Sequence, residues 1–147
     1  MKHQERRKTE IDAYAKINFS IDITGIRPNG YHEVAMLMQT IPLCDRITLS
    51  SAKVSGNNRT GDVRVTLRSD DRTLPQDSRN IARKAAELML RQYPQIAAET
   101  DEIEIYIQKR IPVGGGLGGS SADGAGVLKG MNAHFGLGIA KEELIRL

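Results

Sequence analysis

Apolar and polar residues alternate without a break through "EIDAYAKINFSIDIT", residues 10–24. Ile11, Ala13, Ala15, Ile17, Phe19, Ile21 and Ile23 fall on one face, and Asp12, Tyr14, Lys16, Asn18, Ser20, Asp22 and Thr24 on the other. Period two over this length predicts a strand lying on a core through its odd face. Lys16 and Asn18 then share the polar face, about 7 Å apart along it. "GIRPNGYH" supplies a turn through Pro28, Asn29 and Gly30. Extended stretches are expected near 33–43 and 46–51, with Pro42 marking an edge or a bulge.

Residues 52–61 read as a surface loop, and "DVRVTLRS" alternates again with Val63, Val65 and Leu67 inward. Ser78 is expected to cap a helix running to about Tyr93, with Ile81, Ala85, Leu88 and Met89 on its buried face. "EIEIYIQK" is a further strand, with Ile103, Ile105 and Ile107 inward. A glycine-rich stretch follows, then a helix from about Ser121 to Phe135 and the start of another in "KEELIRL". Strands come first and helices later, without regular βαβ alternation. This order predicts an α+β domain with a mixed, largely antiparallel sheet. "KEELIRL" has acids in its first turn and no stop signal, so the expectation is a fragment of a longer protein.

Composition narrows the classes. The chain has 147 residues, enough for one domain with a real core, and its 39% hydrophobic and 27% charged residues are ordinary for a globular protein. A net charge of +3 is too mild to argue for nucleic acid, and two Phe, four Tyr and no Trp make no stacking platform. Lys2, Arg6, Arg7 and Lys8 cluster in a terminus (residues 1–9) expected to fray. The single Cys44 excludes an intramolecular disulfide and is expected to be a buried, inert thiol. His3 and His134 are taken as structural or solvated. No apolar run reaches membrane-span length and no signal core opens the chain, which makes a cytoplasmic protein the expectation.

The chemistry concentrates in "IPVGGGLGGSSADGAG", residues 111–126, with seven glycines. Bare backbone there can crowd an anion, and the following helix N-terminus adds unsatisfied N–H groups. Ser120 and Asp123, three apart, resemble a capping box that would start the helix at this point. The P-loop pattern fails, because Ser120 stands where its lysine should be. The dinucleotide pattern is met literally by Gly114, Gly116 and Gly119, but "KRIPV" separates these glycines from the strand and no acid-ended strand follows. A dinucleotide-dependent oxidoreductase therefore remains only the weaker alternative.

"P-x-x-x-G-L-G" followed by serines and an alanine resembles the ATP-binding motif of the GHMP kinases (galactose, homoserine, mevalonate and phosphomevalonate kinases). "AYAKINFSIDITGIRPNGYHEV", "DSRNIARKAAELM" and "KRIPVGGGLGGSSADGAGVLKGMN" resemble, in order, segments of one branch of that family. The branch phosphorylates the 2-hydroxyl of a cytidine-diphosphate-linked methylerythritol in the non-mevalonate isoprenoid pathway. The resemblance implies the GHMP-kinase N-terminal domain over residues 10–147, of the ribosomal protein S5 domain 2-like type, with helices on one side of its sheet. It implies ATP and Mg²⁺ as cofactors and a small-molecule substrate, with neither nucleic acid nor membrane as partner. Self-association through exposed interface is a further expectation.

By the same resemblance, Lys16 is the catalytic lysine and Asn18 lies beside the erythritol end of the substrate. Tyr31 would stack on cytosine and His32 hydrogen-bond it. Pro112, Val113, Gly114, Gly115, Gly116, Leu117, Gly118, Gly119, Ser120, Ser121 and Ala122 would wrap the ATP phosphates, and Asn80 and Lys109 would line the adenosine pocket. Ser121 is the candidate metal ligand. The family's catalytic aspartate is expected in a segment beyond "KEELIRL", along with a C-terminal domain, so this chain is expected to be inactive alone or a nucleotide-binding module without catalysis. Ser120 takes a position where many relatives carry glycine, which leaves open which serine meets phosphate.

Overall fold

A computed structural model describes residues 6–53 and 62–147. The long alternating stretch and the one after the turn form an antiparallel ribbon, β1 (Arg7–Ile26) and β2 (His32–Ala52). The two extended stretches expected near 33–43 and 46–51 are thus one strand. Opposite Pro42 the register slips, Tyr14 pairing with Cys44 and Lys16 with Thr40, so a bulge absorbs the residue that cannot donate to the ladder. Then come β3 (Arg64–Ser69), α1 (Ile81–Gln92), the short α2 (Ile96–Glu99) and β4 (Glu102–Gln108). Helix α3 (Gly119–His134) and the short α4 (Lys141–Leu144) complete the chain. The sheet order is β1-β2-β4-β3, antiparallel except where β3 lies parallel to β4 across the α1 crossover. This is the mixed, largely antiparallel α+β sheet that the pattern predicts.

The terminus expected to fray is ordered from Arg7, where β1 pairs with Ser51, and Arg6 reaches Glu104 on β4 at 2.8 Å. Basic side chains placed against the acids of β4 have partners to hold them. Residues 1–5, including His3 and Lys2, and most of the expected 52–61 loop lie outside the described residues.

The core lies between one face of the sheet and helices α1 and α3. Ile47, Leu49, Ile103, Ile105 and Ile107 are fully buried, with Val65 and Leu67 beside them. Helix α3 packs through glycines: a Cβ on Gly126 would lie 2.7 Å from Ile47, and one on Gly130 would strike Ile11 and Leu49. Helix α1 buries Ala82, Ala85, Ala86 and Met89, so the expected face is rotated. Ile81 and Leu88 instead line a groove of about 1250 Å³ between α1, α3 and the C-terminal segment. Its N-cap is Asn80, whose side chain accepts the Ala82 N–H at 2.9 Å, and not Ser78.

The odd face of β1 is buried only near the core. Ala13 and Ala15 are inside, but Phe19, Ile21 and Ile23 are exposed. Slips at Tyr14/Lys16, Asn18/Ser20 and Ile23/Gly25 break the alternation, and the distal ribbon runs past the helices that could cover it. Cys44 is half-buried, not fully buried, because its strand position faces away from the core side held by Asp45 and Ile47.

Candidate phosphate-binding site

Strand β1 is an edge strand, and an edge presents unpaired backbone groups. At Lys16 the glycine loop covers that edge: the Lys16 N–H donates to the Leu117 carbonyl at 3.0 Å. The Lys16 ammonium donates to the Gly116 carbonyl at 3.2 Å and to Asn18 Oδ1 at 3.5 Å. Gly118 sits at φ +74°, and a Cβ there would meet Lys16 Cε at 3.2 Å, so both backbone conformation and space call for glycine. Lys16, Asn18 and the glycine loop, far apart in sequence, are therefore one cluster.

Gly118 is also the N-cap of α3, in left-handed conformation and without a side-chain cap. The capping box expected from Ser120 and Asp123 is absent. The helix begins at Gly119, which puts Ser120 inside the first turn, and Asp123 turns to Lys109. The first intrahelical N–H bond into the loop is Ala122 to Gly118 at 2.9 Å, so the N–H groups just before it face the loop cavity without helical acceptors. That cavity, about 180 Å³, is lined by Lys109 and residues 112–121, with Ser120 and Ser121 exposed at its mouth. An uncapped helix start under bare backbone is suited to an anion. The larger groove is apolar and meets the loop only through Ser121, so the small cavity is where phosphate chemistry fits.

Beneath the loop lies a charge cluster. The Lys109 ammonium, almost fully buried, pairs with Asp45 Oδ2 and, at 3.0 Å, with Asp123 Oδ2. Asp45 Oδ1 accepts the backbone N–H groups of Arg110 (2.6 Å) and Ile111 (2.9 Å). Burial would raise the Asp45 carboxyl, but these N–H bonds and Lys109 outweigh it and hold the group below its ordinary value. Burial pushes Asp123 up to about 6, against the pull of Lys109, and its Oδ1 has no partner. Burial works against the Lys109 charge too, but the two carboxylates keep it above its usual value. Asp45 escapes a motif search. Its signal is a charge on the inward phase of β2, in step with Ile47 and Leu49.

The remaining candidates are placed as follows. Pro112, Val113 and Ala122 flank the loop. Asn80 caps α1, and its amide donates to Pro75 O at 3.0 Å, so the side chain is already engaged; Ile81, next to it, packs on Gly124 of α3. Tyr31 and His32 stand at the ribbon tip, and Tyr31 is exposed. Ten strand positions from Lys16 to Ile26 put them roughly 30 Å along the ribbon. The structure does not bring them to the loop. His134 is buried and structural, its ring nitrogens at 2.8 Å from Thr9 Oγ1 and 2.7 Å from Ser51 Oγ. Among the described residues no group of His, Cys, Asp and Glu could cage a metal.

A mixed sheet backed by helices, with a glycine loop opening a helix beside a lysine, is the fold of the GHMP-kinase N-terminal domain. Residues 80–147 match the family described as GHMP kinases N terminal domain. The chain is similar to the 4-diphosphocytidyl-2-C-methyl-D-erythritol kinase of Geobacter sp. (strain M21), 40% identical over 96% of this chain and 46% of that protein. The enzyme of that name from Microcystis aeruginosa is 42% identical over 90% of this chain and 40% of its own length. A crystal structure of 4-(cytidine 5'-diphospho)-2C-methyl-D-erythritol kinase matches with TM-score 0.69 and 30% identity, over 94% of this chain and 45% of that one. A mevalonate kinase structure at 16% identity shares the fold, with TM-score 0.67. The chain spans less than half the length of these relatives.

Proposed function

We propose that the chain is the ATP-binding part of a kinase that phosphorylates the 2-hydroxyl of 4-diphosphocytidyl-2-C-methyl-D-erythritol, in the non-mevalonate isoprenoid pathway. The observation that carries this reading is the Lys16 ammonium, held 3.2 Å from the Gly116 carbonyl at the rim of an uncapped helix start. An ammonium fixed there stabilises charge developing between a hydroxyl and a γ-phosphate. Asn18, beside it, would meet the alcohol, and Tyr31 and His32 would read the cytosine only where the ribbon bends its tip back toward Lys16. Mg²⁺ usually travels with nucleotide phosphates and few protein ligands, which suits a loop whose nearest candidate contact is Ser121. The protein would work in the cytoplasm; among the described residues no helix is long and apolar enough to cross a membrane.

Calorimetric titration with Mg·ATP and with NAD tests the reading. Binding of ATP in preference to NAD supports it, and a preference for NAD overturns it in favour of an oxidoreductase. A second reading, nucleotide binding without turnover by this chain, is favoured by one observation. Among the described residues no carboxylate lies within ion-pairing distance of Lys16. The expected result is substrate phosphorylation no higher than in Lys16→Ala, and clear turnover above that control would exclude the second reading.

A further inference from the structure

Asp45 is a fully buried charge that neither the glycine motif nor the lysine contact uses. Its place on β2 explains what it does. The pairing of β2 with β4 ends at Arg46 and Gln108, so Asp45 lies one position beyond the last ladder pair. From there its carboxylate holds the next three residues of the departing chain: Oδ2 takes the Lys109 ammonium, and Oδ1 takes the Arg110 and Ile111 N–H groups. Pro112 follows and the loop begins. Lys109 carries the hold further. Its ammonium bonds Asp123 on α3 and lies 3.2 Å from the position a Cβ would take on Gly119, the first helical residue.

We infer that Asp45 is the positioning residue of the phosphate loop: it fixes where the loop leaves β4 and, through Lys109, where α3 begins. The N–H groups that would receive phosphate are thereby set before any ligand arrives. An ionised carboxylate bonds backbone N–H groups about twice as strongly as a neutral acceptor, and removing it would leave the buried Ile111 donor and the partly buried Arg110 donor unpaired. This inference rests on the nucleotide-binding reading for its ligand, but not for its geometry.

Two measurements on the whole chain separate the two. Amide hydrogen exchange of the ligand-free protein reads the anchor directly. Asp45→Ala should speed exchange about tenfold across residues 110–119 while α1 and β3 keep wild-type rates. Asp45→Asn, which keeps an acceptor without the charge, should recover only part of that protection and leave exchange there about threefold faster than in wild type. Asp123→Asn touches neither Arg110 nor Ile111 and should leave their rates near wild type. Mg·ATP affinity should follow the same order, about tenfold weaker in Asp45→Ala and close to wild type in Asp45→Asn. Should Asp45→Ala fail to fold, Asp45→Asn decides by itself: exchange raised only within 110–119 supports the anchor, and unchanged exchange there overturns it. A loosening spread evenly over the domain, or one as large in Asp123→Asn, also overturns it. If the wild-type chain binds no Mg·ATP, the kinase reading falls while the exchange result still stands for Asp45.

Discussion

Asp123 lies within the first turns of α3 with one carboxylate oxygen on Lys109 and the other unpartnered in the core. Two buried carboxylates compete for one ammonium. Asp45, with its two backbone donors, keeps the negative charge, and Asp123, lacking them, is pushed up to about 6 from 3.8. The native state therefore holds the Asp123 proton more tightly than the unfolded chain does. Its stabilisation is complete at low pH and is lost as pH rises from about 4 through 6, on the order of 3 kcal/mol in all. His134 runs the other way. Burial, with Arg7 adding to it, lowers its pKa from 6.5, so the unfolded chain takes that proton first and stability falls as pH drops through 6.5. The slopes oppose each other below about pH 6, so the wild-type melting temperature should change less with pH there than that of a protein lacking the Asp123 carboxyl. Asp123→Asn removes the opposing slope, and its thermal melts should then fall more steeply than wild type as pH drops from about 6 to 4.5. Parallel profiles for the two proteins would mean that Asp123 carries no proton at neutral to mildly acid pH. None of this was legible in the sequence, where Asp123 and Ser120 had the spacing of a cap and Asp45 was one acid in an apolar run. Partners so distant in the chain meet only through the β2–β4 ladder and the seating of α3.

At the scale of elements, strict alternation located β3 and β4 with their inward residues, because both lie where the helices cover the sheet. The same alternation misjudged β1. Periodicity reports which side chains share a face, and it cannot report where the covering helices stop or where a bulge exchanges the faces. Helix α1 shows a related limit. Its apolar stripe was found, yet Met89 and the small Ala82, Ala85 and Ala86 take the buried face, while Ile81 packs against Gly124 of α3 at the edge of the groove. The cap shifted from Ser78 to Asn80 because the Asn80 side chain bonds both ways, to the Ala82 N–H and to the Pro75 carbonyl. Urea unfolding should show Asn80→Ala costing about 1 kcal/mol, a typical loss for an N-cap. Ser78→Ala should stay within about 0.5 kcal/mol, as exposed substitutions without a partner do. Equal costs would move the cap back to Ser78. Gly130→Ala is a sharper probe of the close approach. Its Cβ would strike Ile11 and Leu49, so overpacking of about 1–3 kcal/mol is expected in the same experiment.

The whole molecule is a compact sheet-and-helix body from which the β1–β2 ribbon extends. A two-stranded ribbon is marginal in water without a third strand or a helix against it, and this one carries apolar side chains where no cover exists. Phe19 (65%), Ile23 (66%), Ile26 (71%) and Leu37 (63%) are largely exposed. Apolar area of this extent on one element marks a surface that pairs with something, and for the isolated chain the partner at hand is a second copy. Beyond the backbone bond from Lys16 to Leu117 of the glycine loop, the outer edge of β1 also offers backbone groups to such a copy. Sedimentation velocity over a roughly hundredfold range of concentration should therefore show a shift from monomer to larger species. Phe19→Ser combined with Ile23→Thr changes neither core nor loop and should move that transition to higher concentration while leaving the melting temperature of the body nearly unchanged. A wild-type chain that stays monomeric throughout, with slow amide exchange along residues 19–37, would mean that the ribbon is stable without cover. Faster exchange there than along residues 45–51, which are paired to β4 as well, agrees with an arm waiting for its partner.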